Sequence, residues 1–247
     1  MPFLAKMAPM SPDNLTAATK DWYRNYAGVK GDDRNDLVRN PGVLFQTLAM
    51  EMSVIRAMRS IPIDPATSKV LDVGCGWGGS LFTFVKMRFQ PHLLYGVDIH
   101  DEMIAYAKGR FSSINFSVGD ARKLDFPDHM FDIVTESYMF VQLTDETVSH
   151  EAADEMLRVL KPSGYLLLVD WRYSRPGDPN YVGLSKARVR KLFHVGERTE
   201  FLSTRNGALI PPLGRFVSRF LPSFYFLIQG FFGILAGQQA MVLRKRS

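Results

Sequence analysis

Ten residues constrain this chain more than any others: Val70-Leu71-Asp72-Val73-Gly74-Cys75-Gly76-Trp77-Gly78-Gly79. A short apolar run delivers the backbone into a loop where glycine recurs, and an amphipathic stretch follows. Glycine lets such a loop approach a ligand closely and adopt positive φ, while the next helix points its free N–H groups at that ligand. The pattern predicts a nucleotide-like cofactor at the end of a buried strand. Gly74, Gly76 and Gly79 also satisfy the G-x-G-x-x-G dinucleotide fingerprint, which is weak alone. The loop by itself therefore leaves an NAD(P)-dependent oxidoreductase open.

From Lys69 onward short apolar runs alternate with amphipathic stretches, as parallel strands joined by crossover helices do. They predict strands at 70–73, 93–97, 115–118, 131–135 and 165–169, and helices over 79–89, 101–111 and 146–160. The last helix rests on a stripe of Val148, Ala152, Met156 and Val159, with Lys161-Pro162-Ser163-Gly164 as its stop. Upstream, Leu44, Leu48, Met52 and Ile55 mark one face of a helix that starts at Pro41 and ends before Pro62; an aromatic helix over 14–27 precedes it. Downstream the reading gives a basic helix over 184–194, a strand near 199–204, short helices over 213–235 and a last strand over 239–244. This is a doubly wound α/β layout.

Composition permits one enzyme-sized unit. With 247 residues, 46% hydrophobic and 22% charged, the chain gives no support to disordered, collagen-like or coiled-coil readings. The single cysteine, Cys75, excludes an internal disulfide and a CxxC metal knuckle and suits the cytosol. Lys6, Pro9, Pro12 and Asp13 interrupt the N-terminus before an apolar core can develop, so no secretory signal and a cytoplasmic location are expected. No His/Asp/Glu cluster shows metal-ligand spacing, so no metal is predicted. The net charge of +5 is uneven: residues 186–247 hold 11 Lys/Arg against Glu197 and Glu200, a local +9, leaving −4 for the rest. A basic end suits an anionic substrate, an acidic membrane surface, nucleic acid or only a solvated face. Phe220–Leu243 carries no formal charge, yet Pro222, Gly230, Gly233 and Gly237 break it. Short helices closing a pocket are expected there, not a span.

Three further features narrow the ligand. Asp98 ends the second strand in Tyr95-Gly96-Val97-Asp98-Ile99 and can accept from both ribose hydroxyls, a device that NAD enzymes share. Val118-Gly119-Asp120-Ala121 sets a carboxylate after the third strand, near the adenine of a nucleoside lying across the sheet edge. Phe131-Asp132-Ile133-Val134 is then followed by Glu155-Met156-Leu157-Arg158-Val159-Leu160-Lys161-Pro162-Ser163-Gly164 and an apolar run. With these in order, the chain strongly resembles the class I S-adenosylmethionine-dependent methyltransferases over about residues 69–171. Asp72-x-Gly74-x-Gly76-x-Gly78 resembles the family's first motif, and Leu-Lys-Pro-Ser-Gly its late hallmark.

The resemblance implies a Rossmann-like, seven-stranded, mostly parallel sheet with an antiparallel last strand. Residues 1–60 would form an N-terminal arm and helices over the substrate, and 61–247 the methyltransferase domain, with 207–236 as a helical lid insertion. It implies that Gly74, Cys75, Gly76 and Gly78 border the methionine and ribose parts of S-adenosylmethionine, that Asp98 binds the ribose, and that Asp120 and the Ala121 N–H meet the adenine. Ile99 and Met103 would flank that ring. Asp72 is left between direct contact and bracing the loop, and Trp77 between core and cofactor wall. Cys75 is read as a small apolar filler, without a nucleophilic role.

Methyl transfer from a sulfonium depends mainly on collinear positioning. A base is useful only for an acceptor that must lose a proton. Paired histidines common after the fourth strand in relatives are absent here, where Glu136-Ser137-Tyr138-Met139-Phe140-Val141-Gln142-Leu143 stands. The Asn-Pro-Pro-Tyr motif of amino-methylating DNA enzymes is absent too, so no nucleic-acid partner is expected. Catalytic candidates beyond the C-terminal strand edge are Glu136, Tyr138, Asp170 and His194, with Glu136 also a cofactor candidate. Tyr23, Tyr26, Arg172 and Tyr173 are substrate candidates. His100, His129 and His150 read as solvent-facing. The expected reaction is methylation of a small molecule, amphipathic or glycosylated, with oxygen favoured over nitrogen or carbon. The oxidoreductase and a non-catalytic, methyltransferase-like module at a membrane surface remain the rivals, and the oligomeric state is left open.

Overall fold

The computed structural model describes residues 36–178 and 180–247. The helix expected over 14–27, with Tyr23 and Tyr26, lies outside them.

Seven strands form one sheet: β1 (Val70–Val73), β2 (Leu94–Asp98), β3 (Asn115–Val118), β4 (Phe131–Ser137), β5 (Leu160–Trp171), β6 (Thr199–Asn206) and β7 (Gln238–Lys245). Their order is β3-β2-β1-β4-β5-β7-β6. The first five run parallel, while β7 lies antiparallel to both β5 and β6. The chain starts in the middle and winds outward both ways, so the carboxyl ends of β1, β2 and β4 share one edge with a crevice where the order reverses. β1 and the middle of β5 are buried throughout, as expected of strands covered on both faces.

The crossover helices are α2 (Gly79–Lys86), α3 (Asp101–Arg110) and α4 (Glu146–Val159). Leu81 and Phe84 of α2 and Ile104 and Ala107 of α3 enter one core layer, and Ala152, Met156 and Val159 of α4 enter the other. Asp145 caps α4 by accepting from Thr147 N at 2.8 Å, a favourable place for an acid. Before the sheet, α1 (Pro41–Met58) is capped by Asn40. After it come α5 (Lys186–Leu192), then α6 (Pro211–Phe220) and α7 (Tyr225–Phe231) between β6 and β7.

Several expected boundaries move. The helix over 79–89 stops at Lys86 because Arg88 turns left-handed, φ +70°. The stretch 161–164, expected as a pure stop, lies within β5: Leu160 pairs with Phe131, then Tyr165 with Ile133, and the residues between bulge outward. Gly164 is required there, since a Cβ would sit 2.9 Å from the Lys161 carbonyl oxygen. The basic helix over 184–194 shortens at both ends. Leu184 N donates to Trp171 O, Ser185 is the cap, and His194 takes φ +46°.

The basic C-terminal segment is also less solvated than its charge suggests. Arg188 is buried and donates to Glu146, to the Phe140, Val182 and Leu143 carbonyls and to Ser149, at 2.6–3.0 Å. Lys245 donates to the Leu157 and Leu160 carbonyls. These cations tie α4, α5 and β7 together; they are not displayed for an anion.

Candidate active site

The edge formed by the ends of β1, β2 and β4 holds a cavity of about 460 Å³. Its floor is the glycine loop. Gly74, Gly76 and Gly78 all have positive φ, at +73°, +51° and +79°. The turn is pinned to β2, since Gly74 N and Cys75 N both donate to Val97 O at 2.8 and 3.1 Å. A Cβ on Gly76 would meet only Met103 Sδ, at 3.8 Å, so this glycine opens toward the cavity. At Gly78 a Cβ would stand 2.8 Å from the Phe116 ring; that glycine faces core instead and does not line the space.

Asp98 stands at the tip of β2 on the cavity wall. Its Oδ2 accepts from Gly76 N at 2.8 Å, and its Oδ1 from His100 N and Nδ1 at 2.9 and 2.8 Å. One carboxylate thus fixes the loop while fronting the cavity. His100, expected at the surface, is mostly covered and orients Asp98. Asp120 follows β3 and also lines the cavity, with Ala121. Burial alone would raise the Asp120 pKa, but the side-chain and backbone hydrogen bonds of Arg122 outweigh it and hold the carboxyl below its ordinary range. The Arg122 Nε lies 3.0 Å from both carboxylate oxygens. Ile99 and Met103 complete an apolar wall, and Trp77 borders the mouth edge-on to Tyr106 at 5.1 Å.

Asp72 sits behind this floor. It is fully buried, takes the Ser80 hydroxyl on Oδ2, and its Oδ1 has no partner among the described residues. Burial raises its pKa to about 7, with Asp98 adding repulsion and Ser80 opposing. Cys75 is buried with its thiol pushed up by burial and by the Asp72 and Asp98 charges, the opposite of an activated nucleophile.

The catalytic and substrate candidates scatter. Tyr138 lines the cavity in a left-handed conformation, φ +63°. Its hydroxyl accepts from Gln238 Nε2 at 2.9 Å and meets Met50 Sδ. Burial and nearby acids push its pKa up, so it is a phenol, not a phenolate. Glu136 and Asp170 are fully buried behind the cavity lining. Glu136 accepts from Met139 N and Val169 N at 3.0 and 3.1 Å, and Asp170 from Val141 N and Trp171 N at 2.8 and 2.6 Å. Burial and the mutual proximity of the two raise Glu136 well above its usual range, and burial raises Asp170 to about 7. Both carboxyls brace the loop after β4 without reaching the cavity.

Arg172 and Tyr173 also lie off its wall. The Arg172 guanidinium donates to Gly233 O at 2.9 Å and the Tyr173 hydroxyl to Ile234 O at 2.8 Å, so they hold the turn before β7. His194 is a correction. It lies beside Thr199, at the sheet edge where β5 begins, opposite the cavity, so its expected catalytic role has no geometric basis.

The sequence pattern did not single out Met50, Met139, Gln142 and Leu143, which also line the cavity, or Gln238 behind Tyr138. Gln238 Oε1 accepts from Ala208 N at 3.2 Å, which turns its Nε2 toward Tyr138. No local pattern marks such residues, because α1, the loop after β4 and β7 meet only in three dimensions. The lining fits an adenosine-bearing cofactor: a glycine cradle open at Gly76, carboxylates at two successive strand tips, an apolar slot between them, and a buried, unpartnered carboxylate oxygen beneath the floor.

Comparison with known proteins agrees. Residues 70–164 match a family model described as a methyltransferase domain. Over 118 residues the chain is 34% identical to ubiquinone/menaquinone biosynthesis C-methyltransferase UbiE of Ectopseudomonas mendocina, covering 45% of this chain and 44% of that protein. It is 34% identical over 113 residues to the fatty-acid O-methyltransferase of Mycolicibacterium smegmatis, covering 44% and 39%. The chain thus spans about half or less of the length of these curated relatives. Among solved structures, geranyl diphosphate C-methyltransferase from Streptomyces coelicolor, in complex with Mg2+, geranyl diphosphate and S-adenosyl-L-homocysteine, superposes with a TM-score of 0.58 at 15% identity, over 81% of this chain and 77% of that one.

Proposed function

We propose that the chain is a class I S-adenosylmethionine-dependent methyltransferase, a reading that the match of residues 70–164 to a methyltransferase domain supports, and that it methylates an amphipathic small molecule at an acidic oxygen. The observation that carries this reading is the mixed lining of one cavity, where the glycine loop and the Asp98 and Asp120 carboxylates meet Met50, Tyr138, Met139 and Leu143.

On this reading Asp98 takes the ribose hydroxyls, Asp120 and the Ala121 N–H take the adenine edge, and Ile99 and Met103 cover its faces. The chemistry supplied by bound S-adenosylmethionine is displacement of a thioether from methyl by the acceptor. The chain's residues then need to hold the acceptor in line and exclude water, which accounts for much of such a rate. Tyr138, beside Met50, is the hydrogen-bond donor for that acceptor. Its oxygen already accepts from Gln238, so its proton points elsewhere, and an acceptor oxygen in place of Met50 Sδ would receive it. Glu136 and Asp170 cannot serve as bases from behind the wall. An acceptor whose oxygen is already ionised, such as a carboxylate or acidic phenol, suits a site where a phenol donor stands beside thioethers. The name of the mycobacterial relative supports a fatty-acid-like acceptor.

Incubation with labelled S-adenosylmethionine and a panel of long-chain carboxylic acids, acidic phenols, quinols and amines, read by mass spectrometry, tests the proposal. Methyl esters or ethers are expected. Label on carbon of a quinol, which the UbiE likeness makes the second reading, or on nitrogen would overturn the choice of oxygen; label only in protein or RNA would overturn the acceptor class.

A further inference from the structure

We infer that the outer surface of the insertion between β6 and β7, residues 207–237, docks on an anionic lipid bilayer. α6 and α7 both turn large aromatic and aliphatic side chains outward. α6 turns Gly214, Val217 and Ser218 inward and shows Phe216 and Phe220 to solvent, their rings 5.2 Å apart. α7 buries Tyr225 and Gln229, whose polar groups are used inside: the Tyr225 hydroxyl accepts from Leu209 N at 3.2 Å, and Gln229 Nε2 donates to the Asn206 and Gly207 carbonyls at 3.0 and 2.8 Å. Its outward residues are Phe226, Leu227 and Phe231, the last 81% exposed.

Scattered exposed apolar side chains need no explanation. Here nine large ones fall within residues 216–234, and a contiguous patch of that kind marks an interaction surface. Charge selects the partner. No Asp or Glu occurs after Glu200, whereas Arg215 and Arg219 stand exposed on α6. The Arg219 guanidinium lies over the Phe220 ring at 5.4 Å. Aromatic depth with guanidinium groups beside it is the arrangement by which interfacial helices seat in acyl chains while contacting anionic headgroups. No helix among the described residues is long and apolar enough to cross a membrane, so the contact is peripheral.

The inference goes beyond the transfer reaction, and its test does not use activity. The full chain is floated with vesicles of phosphatidylcholine alone and of phosphatidylcholine mixed with phosphatidylglycerol. Co-flotation with the mixed vesicles, weakening as salt rises, is expected, with roughly tenfold less protein bound for Phe220→Ser/Phe231→Ser. Arg219→Gln should lessen the salt dependence. Circular dichroism establishes that each variant is folded. Failure to float with mixed vesicles, or undiminished binding by the folded double variant, overturns the proposal. So does concentration-dependent dimerisation lost in the double variant, which would assign the face to a second copy. Chemical cross-links joining 216–234 to residues 1–35 in the lipid-free protein would assign it to residues 1–35.

Discussion

The glycine-loop edge and the 207–237 insertion solve opposite problems. At the edge, polar groups face the cavity and are fixed in advance: one Asp98 carboxylate accepts from Gly76 and His100, and the backbone turn is tied to Val97. In the insertion, the polar side chain of Gln229 turns inward to satisfy backbone, and the large apolar ones face out. The first region turns hydrogen-bonded polar groups toward a cavity. The second turns apolar surface toward solvent. The match to the methyltransferase family model follows the same line, ending at residue 164 before the insertion begins.

The sharpest way to break this contrast is Asp98→Ala. If the carboxylate both fixes the loop and holds the nucleoside, affinity for S-adenosylhomocysteine by calorimetry should fall about 100-fold or more, since hydrogen bonds to a charged group contribute ~1.5–3 kcal/mol each. Asp98→Asn, which keeps an acceptor for Gly76, should lose less. Gly78→Ala follows. At φ +79° and 2.8 Å from Phe116 it should cost ~2–3 kcal/mol in urea denaturation, against ~1 kcal/mol for Gly76→Ala, where only the backbone is strained.

Gln238→Leu tests the seam between the regions. Leaving Ala208 N and the Tyr138 hydroxyl without this partner should cost ~1–3 kcal/mol of stability and slow transfer to acceptor, with S-adenosylhomocysteine affinity unchanged. Asp72→Asn concerns pH. The folded pKa of Asp72 is raised from 3.8 to about 7, so between those values the native state binds more protons than the unfolded one and stability falls as pH rises. Thermal melts across that window should show a shallower decline for the variant, by up to ~1.4 kcal/mol per pH unit. The smallest effect belongs to the insertion: Phe220→Ser/Phe231→Ser should change stability by no more than ~0.5 kcal/mol and leave S-adenosylhomocysteine affinity alone.

How much was legible in the residues depended on range. The strands, the glycine loop, Asp98 and Asp120 follow from local pattern, because alternating burial and positive φ leave marks in neighbouring residues. The roles of Glu136 and Asp170 did not follow. A carboxylate at a strand end reads the same whether it faces a cavity or braces the loop behind it, and only the bonds to Met139, Val169, Val141 and Trp171 distinguish the two. The same holds for Arg188, which reads as surface charge and is an internal clamp.

Taken alone, the amino-acid order determined the winding of the sheet and the cofactor edge, since strand period, glycine spacing and strand-tip acids are short-range properties of a chain. The tertiary structure decided that Met50 and Tyr138 line the cavity, which acids are out of reach, and which face of α6 and α7 is outward. Those outcomes depend on α1, the loop after β4 and β7 converging from distant positions, and burial is settled by what a side chain meets in space, not by what precedes it in sequence.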